Sequence, residues 1–188
     1  MKATGIVRRI DDLGRVVIPK EIRRTMRIRE GDPLEIYTDR EGEVIFKKYS
    51  PIGELSSFAS QYAETLYKTC NLSVIISDRD AVIASAGVSK KEYSDKNLSA
   101  EAEKIIENRG FYSWREGSDR LPVIADSQNH FIRCAMPIIS EGDVIGCVAS
   151  VADRTAPERP RDIGGGTADT EAKLIQAAAG FLGRHTEA

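Results

Sequence analysis

The chain has 188 residues, of which 41% are hydrophobic and 30% charged, so a globular protein of one medium or two small domains is expected. No unbroken apolar run approaches the roughly 18 residues of a membrane-spanning helix, and the N-terminus lacks a signal-peptide pattern, which together favour a cytoplasmic location. Basic residues outnumber acidic ones by nine to three within residues 1–29, although the whole chain carries a net charge of −2. A basic segment on an acidic chain indicates contact with a nucleic acid at that end.

The first thirty residues predict two strands and a short helix. β-branched residues favour strands at 5–10 and 15–18, and the turn between them at 11–14 ends on a glycine that supplies the backbone freedom. Pro19 ends the second strand and suits the first turn of a helix that reaches about Met26.

A hairpin is predicted next. Residues 34–38 alternate between apolar and polar side chains, 39–42 form a turn, and 43–49 complete the pair, which gives a β-β-α-β-β module. About fifty residues bury too little surface for comfortable stability alone. The module is nonetheless rich in apolar side chains for its size: Ile6, Ile10, Val16, Ile18, Ile22, Leu34, Ile36, Val44 and Phe46. Because a second copy would complete this core, we expect residues 1–53 to form a dimer.

Residues 49–53 are interpreted as a linker, and residues 54–188 as a second domain. Its predicted elements are a helix at 54–68, strands at 72–77 and 81–85, a helix at 99–108 capped by Ser99, a hairpin of 130–139 and 144–151, and a last helix at 168–184. Strands in the middle and a helix at each end predict an α+β domain. The glycine-rich stretch 159–166 is interpreted as a loop and not as a phosphate site, since no Lys-Ser/Thr follows the glycines.

The two end helices of this domain carry apolar stripes. The first stripe is Leu55, Phe58 and Tyr62, and the second is Ala172, Ile175, Ala179 and Leu182. Two such helix pairs from separate chains could pack together and join dimers into a tetramer. The alternative is that each stripe only covers its own sheet.

Catalytic and metal-binding patterns are not found, so we expect no enzyme, no metal ion and no bound cofactor. Cys70, Cys134 and Cys147 lie far apart, and neither His130 nor His185 falls at ligand spacing from them. We interpret the cysteines as small buried side chains, with a redox-sensing thiol as the alternative. Trp114 and Arg115 could line a pocket, but packing in a core or loop is the simpler interpretation.

Arginine dominates the basic segment at 8, 9, 15, 23, 24, 27 and 29. Its planar guanidinium donates two parallel hydrogen bonds, which suits phosphate and guanine. Arg8 and Arg15 flank one turn and can share a face, while Arg23 and Arg24 are adjacent on the short helix. The alternative is a solvated charged face that binds nothing.

Residues 4–24 contain the run Leu-Gly-Arg-Val-Val-Ile-Pro and resemble the N-terminal domain of the AbrB-type transition-state regulators. Gly31 to Ile36 and Lys47 to Tyr49 continue the match. The resemblance implies an intertwined swapped-hairpin dimer that binds double-stranded DNA. It also implies DNA contacts by Arg8, Arg15, Arg23 and Arg24.

The second domain resembles a GAF-type sensor domain by its order of elements and by the Ala-Ala-Ala-Gly-Phe-Leu run at 177–182. The resemblance of the whole chain implies a transcriptional activator or repressor that controls spore development. A cyclic nucleotide is not expected, since the Asn-Lys-Phe-Asp-Glu signature is not visible. Whether this domain senses another small molecule or only joins chains is left open. An antitoxin-like protein that binds a partner protein is the alternative function.

Overall fold

A computed structural model describes residues 5–126, 129–155 and 166–186. Its contacts divide the chain into two compact units, Met1–Tyr49 and Ser50–Ala188. The predicted loop at 159–166 lies, except for Gly166, outside the described residues. Among the residues that are described, no helix is both long and apolar enough to cross a membrane.

The first unit contains the predicted short helix and hairpin. Helix α1 spans Lys20–Thr25, directly after Pro19, whose fixed backbone suits the start of a helix. Strands β1 (Leu34–Thr38) and β2 (Val44–Lys48) pair antiparallel with Ile36 opposite Phe46. These predictions are confirmed.

The strands predicted at 5–10 and 15–18 are not present in the single chain. The turn between them is confirmed, because Gly14 N–H donates to Asp11 O at 3.0 Å and Gly14 has a φ of +77°. A further backbone bond closes the turn, from Asp11 N–H to Arg15 O at 3.1 Å. Apolar sequence alone does not make a strand, since a strand also needs a neighbour that satisfies its backbone groups. Neither segment forms part of a strand ladder within the described residues of this chain.

The apolar side chains of the first unit remain open to solvent. Val7 is 87% exposed, Val17 72% and Ile36 62%, and most of the other large apolar side chains of the unit are also exposed. Pro19 is the one buried residue among residues 5–49. The unit therefore has no closed core within residues 5–49 of a single chain.

The second unit begins earlier than the predicted linker allows. Residues Pro51–Glu54 form a short helix, α2, and Ile52 is fully buried. Ser50 caps this helix by accepting a hydrogen bond from Gly53 N–H at 3.2 Å, and its hydroxyl donates to Asp78. The linker interpretation of residues 50–53 is wrong, because burial of Ile52 fixes this segment to the unit that follows.

The remaining elements follow the predicted order, with two short additions, α4 and β5. They are α3 (Ser56–Cys70), β3 (Val74–Ser77), β4 (Val82–Ala86), α4 (Lys90–Tyr93), α5 (Ala100–Glu107), β5 (Tyr112–Ser113), β6 (His130–Ser140), β7 (Asp143–Asp153) and α6 (Gly166–His185). Ser99 caps α5, as predicted, by accepting from Ala102 N–H at 3.0 Å.

One antiparallel sheet in the order β4-β3-β7-β6-β5 separates two apolar cores. Alternate residues of the strands face opposite sides, so Val74 and Ile76 pack with α3 and α6 while Ile75 packs with α5. Helices on both faces of a central sheet confirm the predicted α+β class.

Helix α6 lies so close to β6 that one position admits only glycine. A Cβ at Gly183 would collide with the backbone carbonyl of Ile139, and a backbone neighbour cannot move aside as a side chain does. We expect Gly183→Ala to lower the free energy of unfolding by about 1–3 kcal/mol, the usual effect of overpacking. Gly180→Ala on the same helix is the control, because an added Cβ there meets no atom within 4 Å. That change should raise stability by up to about 1 kcal/mol.

Urea unfolding followed by the fluorescence of Trp114, the single tryptophan of the chain, compares the two variants. Equal stability of the two would contradict the close approach of α6 and β6.

Candidate nucleic-acid interface

The four arginines predicted to contact DNA are all exposed. Arg8 precedes the turn at 11–14 and Arg15 follows it, while Arg23 and Arg24 lie in the last turn of α1. Cations at the C-terminal end of a helix interact favourably with its dipole. The sequence of the unit thus leaves its guanidinium groups at the surface, where a polyanion can reach them.

Asp11 orders the turn that carries Arg15. Its Oδ1 accepts hydrogen bonds from the backbone N–H groups of Leu13 and Arg15, at 3.1 and 2.7 Å. Its Oδ2 accepts from Arg15 Nε at 2.8 Å. The backbone hydrogen bond from Arg15, followed by the one from its side chain, lowers the pKa of Asp11. Arg15 remains 70% exposed in this pair, so a phosphate could replace the carboxylate as its partner.

Lys48 holds the segment after α1. Its Nζ donates to the backbone oxygen of Arg27 at 2.8 Å and lies 3.3 Å from a carboxylate oxygen of Asp32. The Asp32 side chain is only 3% exposed and also accepts from Arg29 N–H at 2.8 Å. Sequence reasoning missed this arrangement, because the residues are separated by up to 21 positions and show no periodic pattern.

The second unit has a small apolar cavity between the sheet and α5. Its volume is about 20 Å³, and no charged side chain lines it. Ile75, Ala102, Ile106, Ile132 and Cys147 are among the lining residues. A cavity of this size accommodates about one water molecule. It has no group that would select an anionic or cationic ligand.

Two of the three cysteines are buried, as predicted. Burial raises the pKa of the Cys147 thiol to about 12, and it also raises the pKa of Cys134, to which the charge of Glu171 adds. Thiols held in their protonated form are poor nucleophiles, which argues against a redox-sensing role for these two. Cys70 is half-buried and ends α3.

Trp114 and His130 pack against neighbouring side chains. Trp114 donates from Nε1 to Ser118 O at 3.1 Å and meets the Phe131 ring edge-on, while Arg115 is exposed. His130 Nδ1 lies 3.0 Å from the Tyr93 hydroxyl, and Tyr93 is fully buried. The described residues include no cluster of side chains that could hold a metal ion.

The apolar stripe of α6 does not take the role predicted for it in joining dimers. Ile175, Ala179 and Leu182 are buried against their own sheet, so this stripe is unavailable to a second chain. For α6 the alternative interpretation is therefore correct: its stripe covers the apolar face of its own sheet.

An aromatic cluster joins α3 and α6. Phe181 is 44% exposed and stacks on Tyr62 with 5.5 Å between ring centroids. Phe58 stacks on His185 at 4.4 Å. We call these four residues the aromatic face. His185 is the last residue of α6 and part of this face.

Comparisons with known proteins match both units. A family model described as stage V sporulation protein T C-terminal, transcription factor, matches residues 54–187. A second, described as antidote-toxin recognition MazE, bacterial antitoxin, matches residues 7–53. Stage V sporulation protein T of Bacillus subtilis (strain 168) is 49% identical over 188 residues, which cover the whole of this chain and 99% of that protein.

The first unit is also similar to the transition state regulatory protein AbrB of Bacillus subtilis. That protein is 65% identical over 51 residues, which cover 27% of this chain and 52% of that one. A solution structure of its N-terminal DNA recognition domain is 63% identical, covers 27% of this chain and 94% of that one, and has a TM-score of 0.24. For the second unit, a GAF domain of A. aeolicus nlh2 is 14% identical, covers 73% of this chain and 85% of that one, and has a TM-score of 0.49.

Proposed function

The chain belongs to the stage V sporulation protein T family of transcription factors, and from this premise we propose that it regulates sporulation genes by binding double-stranded DNA through its first unit. Access to chromosomal DNA requires a cytoplasmic location. A regulator of this kind works by binding and needs no catalytic group, which agrees with the absence of catalytic motifs from the sequence.

The observation that carries the proposal is the exposure of Arg8, Arg15, Arg23 and Arg24 on one small basic unit. Contacts to phosphates supply much of the affinity of proteins for DNA, and arginine also reads guanine in the major groove. The Asp11 turn and helix α1 hold two pairs of guanidinium groups at the surface. Such a layout suits a broad DNA-binding surface better than a single recognition helix.

The exposed apolar residues of the first unit support a dimer as its functional form. A second chain could pair with segments 5–10 and 15–18 and cover the open face of β1 and β2. In a dimer the number of arginines at the DNA is doubled. Two-fold symmetric dimers of this kind are matched to DNA with repeated half-sites.

Removing two of the arginines tests the DNA contacts. We expect the Arg23→Ala, Arg24→Ala double variant to bind DNA more weakly while it unfolds at the same temperature as the unmodified protein. Removal of phosphate interactions would lower the slope of log affinity against log salt by about one per interaction. Removal of a base interaction would instead relax specificity by about 1–3 kcal/mol. Single Arg8→Ala and Arg15→Ala variants should behave in the same way.

Arg40→Ala is the matched control, because Arg40 is also an exposed arginine of the first unit but lies in the turn between β1 and β2. Binding is measured on an operator-containing duplex and a scrambled duplex at several salt concentrations. If the double variant kept both its affinity and its salt slope, the assignment of these arginines would be wrong.

An antitoxin-like function is the second candidate, and the match of residues 7–53 to the antitoxin family model favours it. The folded second unit counts against it, because that unit already buries its apolar residues in two cores. Pull-down from the native host with the full chain separates the two: a stoichiometric partner protein would support the antitoxin, and co-purified DNA the regulator.

For the second unit we propose a role in joining dimers into a tetramer through the aromatic face. The small apolar cavity would have to open before it could admit an effector larger than a water molecule. The aromatic face needs no such change, because Phe181 is already exposed.

A further inference from the structure

Arg27 has a backbone conformation that residues other than glycine rarely adopt. Its φ is +52°, and it follows Met26, the C-cap residue of the first helix in the N-terminal unit. The N–H of Arg27 donates to Arg24 O at 3.3 Å and that of Ile28 donates to Arg23 O at 2.7 Å. This pair of bonds is the Schellman motif, which ends helices and usually has glycine at the left-handed position.

The rest of the first unit follows that preference for glycine. Among residues 5–49, the other positions with a positive φ are glycines: Gly5, Gly14, Gly31 and Gly42. Within this range Arg27 alone keeps a side chain at such a position. Strained backbone conformations cluster at functional sites, which makes the side chain of Arg27 a candidate for a function.

The surrounding contacts hold this backbone in place. Lys48 Nζ donates to the Arg27 carbonyl oxygen, and the same ammonium lies beside the buried Asp32 carboxylate. Arg27 itself is exposed. The motif also places it directly after the helix turn that carries Arg23 and Arg24, at the same end of α1.

We propose that Arg27 is a further DNA-contacting residue, which extends the basic surface of Arg23 and Arg24 beyond the end of α1 to another phosphate. The proposal rests on the DNA-binding function proposed above. It explains why arginine stands at a position where glycine would relieve the backbone strain.

Arg27→Gly in the full-length protein provides the test, because it should change stability and binding in opposite directions. Glycine removes the strain, so the thermal midpoint should rise or stay the same. DNA affinity should fall, and the salt slope should fall by about one for each phosphate interaction that the variant no longer makes. In a dimer the variant would lack two such interactions, one from each protomer. The ratio of the affinity of the unmodified protein to that of the variant should then fall about tenfold when salt is raised from 50 to 200 mM.

Three further variants make the result specific. Arg27→Asn, with a residue that tolerates the left-handed conformation, should behave as Arg27→Gly. Arg27→Lys keeps the charge and should retain most of the salt slope. Arg40→Gly removes one positive charge from the unit at another exposed site and should leave the salt slope unchanged.

The proposal is overturned if Arg27→Gly binds with unchanged affinity and salt slope, or if it lowers the thermal midpoint, since the side chain would then serve the fold. The Arg23→Ala, Arg24→Ala variant distinguishes this failure from a failure of the proposed function. Weak binding by that double variant, with normal binding by Arg27→Gly, removes Arg27 alone from the interface. Normal binding by both variants would show that this end of α1 is not part of the DNA interface.

Discussion

Residues 1–53, produced alone, should sediment as a dimer at every concentration at which they are folded. The reason is the solvent exposure of the apolar side chains in the single chain. Val7, Val17, Ile36 and Val44 are all more than half exposed. A unit with so little buried surface cannot offset the conformational entropy lost on folding, so folding and association should occur together.

A single charge on the open face of β1 and β2 should abolish this association. Ile36 lies opposite Phe46, and both belong to the sheet face that a second chain would cover. In Ile36→Asp an unpaired carboxylate would be buried in the dimer, at a cost on the order of 3–5 kcal/mol per chain. Lys47→Asp is the control, because Lys47 pairs with Glu35 on the opposite face of the same hairpin.

Sedimentation equilibrium together with circular dichroism measures both mass and folding of the fragment. We expect Ile36→Asp to be monomeric and largely unfolded, and Lys47→Asp to remain dimeric. A fragment that is monomeric and still unfolds cooperatively would contradict the shared core.

Much of the fold could be predicted from local sequence signals. The Ser99 cap and strand β1, for example, depend on signals from neighbouring residues and are seen where they were predicted. The inward face of α6 was also correct, because its period of three to four residues directly reflects the sheet beneath it. The family resemblance that rested on residues 4–24 is confirmed as well, and the roles of the four arginines stay predictions.

The sequence-based predictions failed where the structure depends on residues that are distant in the sequence or on a second chain. Residues 5–10 have the composition of a strand but form none within the described residues of this chain. Ile52 is buried by residues far along the sequence, so its segment resembled a linker. The stacking of His185 on Phe58 joins residues 127 positions apart, and no spacing rule anticipates it. The positive φ of Arg27 was hidden because glycine is the usual signal for that conformation.

Full-length protein should bind DNA that carries several sites about 10²–10⁴ times more tightly than residues 1–53 do, because a tetramer makes the second contact intramolecular. The aromatic face is the surface that would join the dimers. Phe181, Tyr62 and Phe58 lie together with centroid distances of 5.5 to 6.3 Å, and the rings of Tyr62 and Phe181 are stacked. Phe181 is the exposed ring of the three, and aromatic residues are enriched at protein interfaces.

Phe181→Asp tests this surface without touching the DNA-binding unit. A carboxylate in the aromatic face would be desolvated in a tetramer, so the variant should stop at the dimer. Phe111→Asp is the matched control, since Phe111 is an exposed phenylalanine of the same unit, 37% accessible, outside the aromatic face. Multi-angle light scattering gives the mass of each variant.

Binding of the unmodified protein, both variants and the fragment is then compared on two probes at one salt concentration. On a probe with a single dimer site, all four should have similar affinity, because only one pair of first units can bind. On long DNA, the unmodified protein and the Phe111→Asp variant should bind more tightly than the fragment. The Phe181→Asp variant should bind only as tightly as the fragment. The gain in affinity requires a spacing between the two DNA sites that lets both dimers bind the same duplex. The long probes should therefore include pairs of sites that differ in spacing and in helical phase. Equal affinity of full-length protein and fragment on every long probe would leave the second unit without a role in DNA binding.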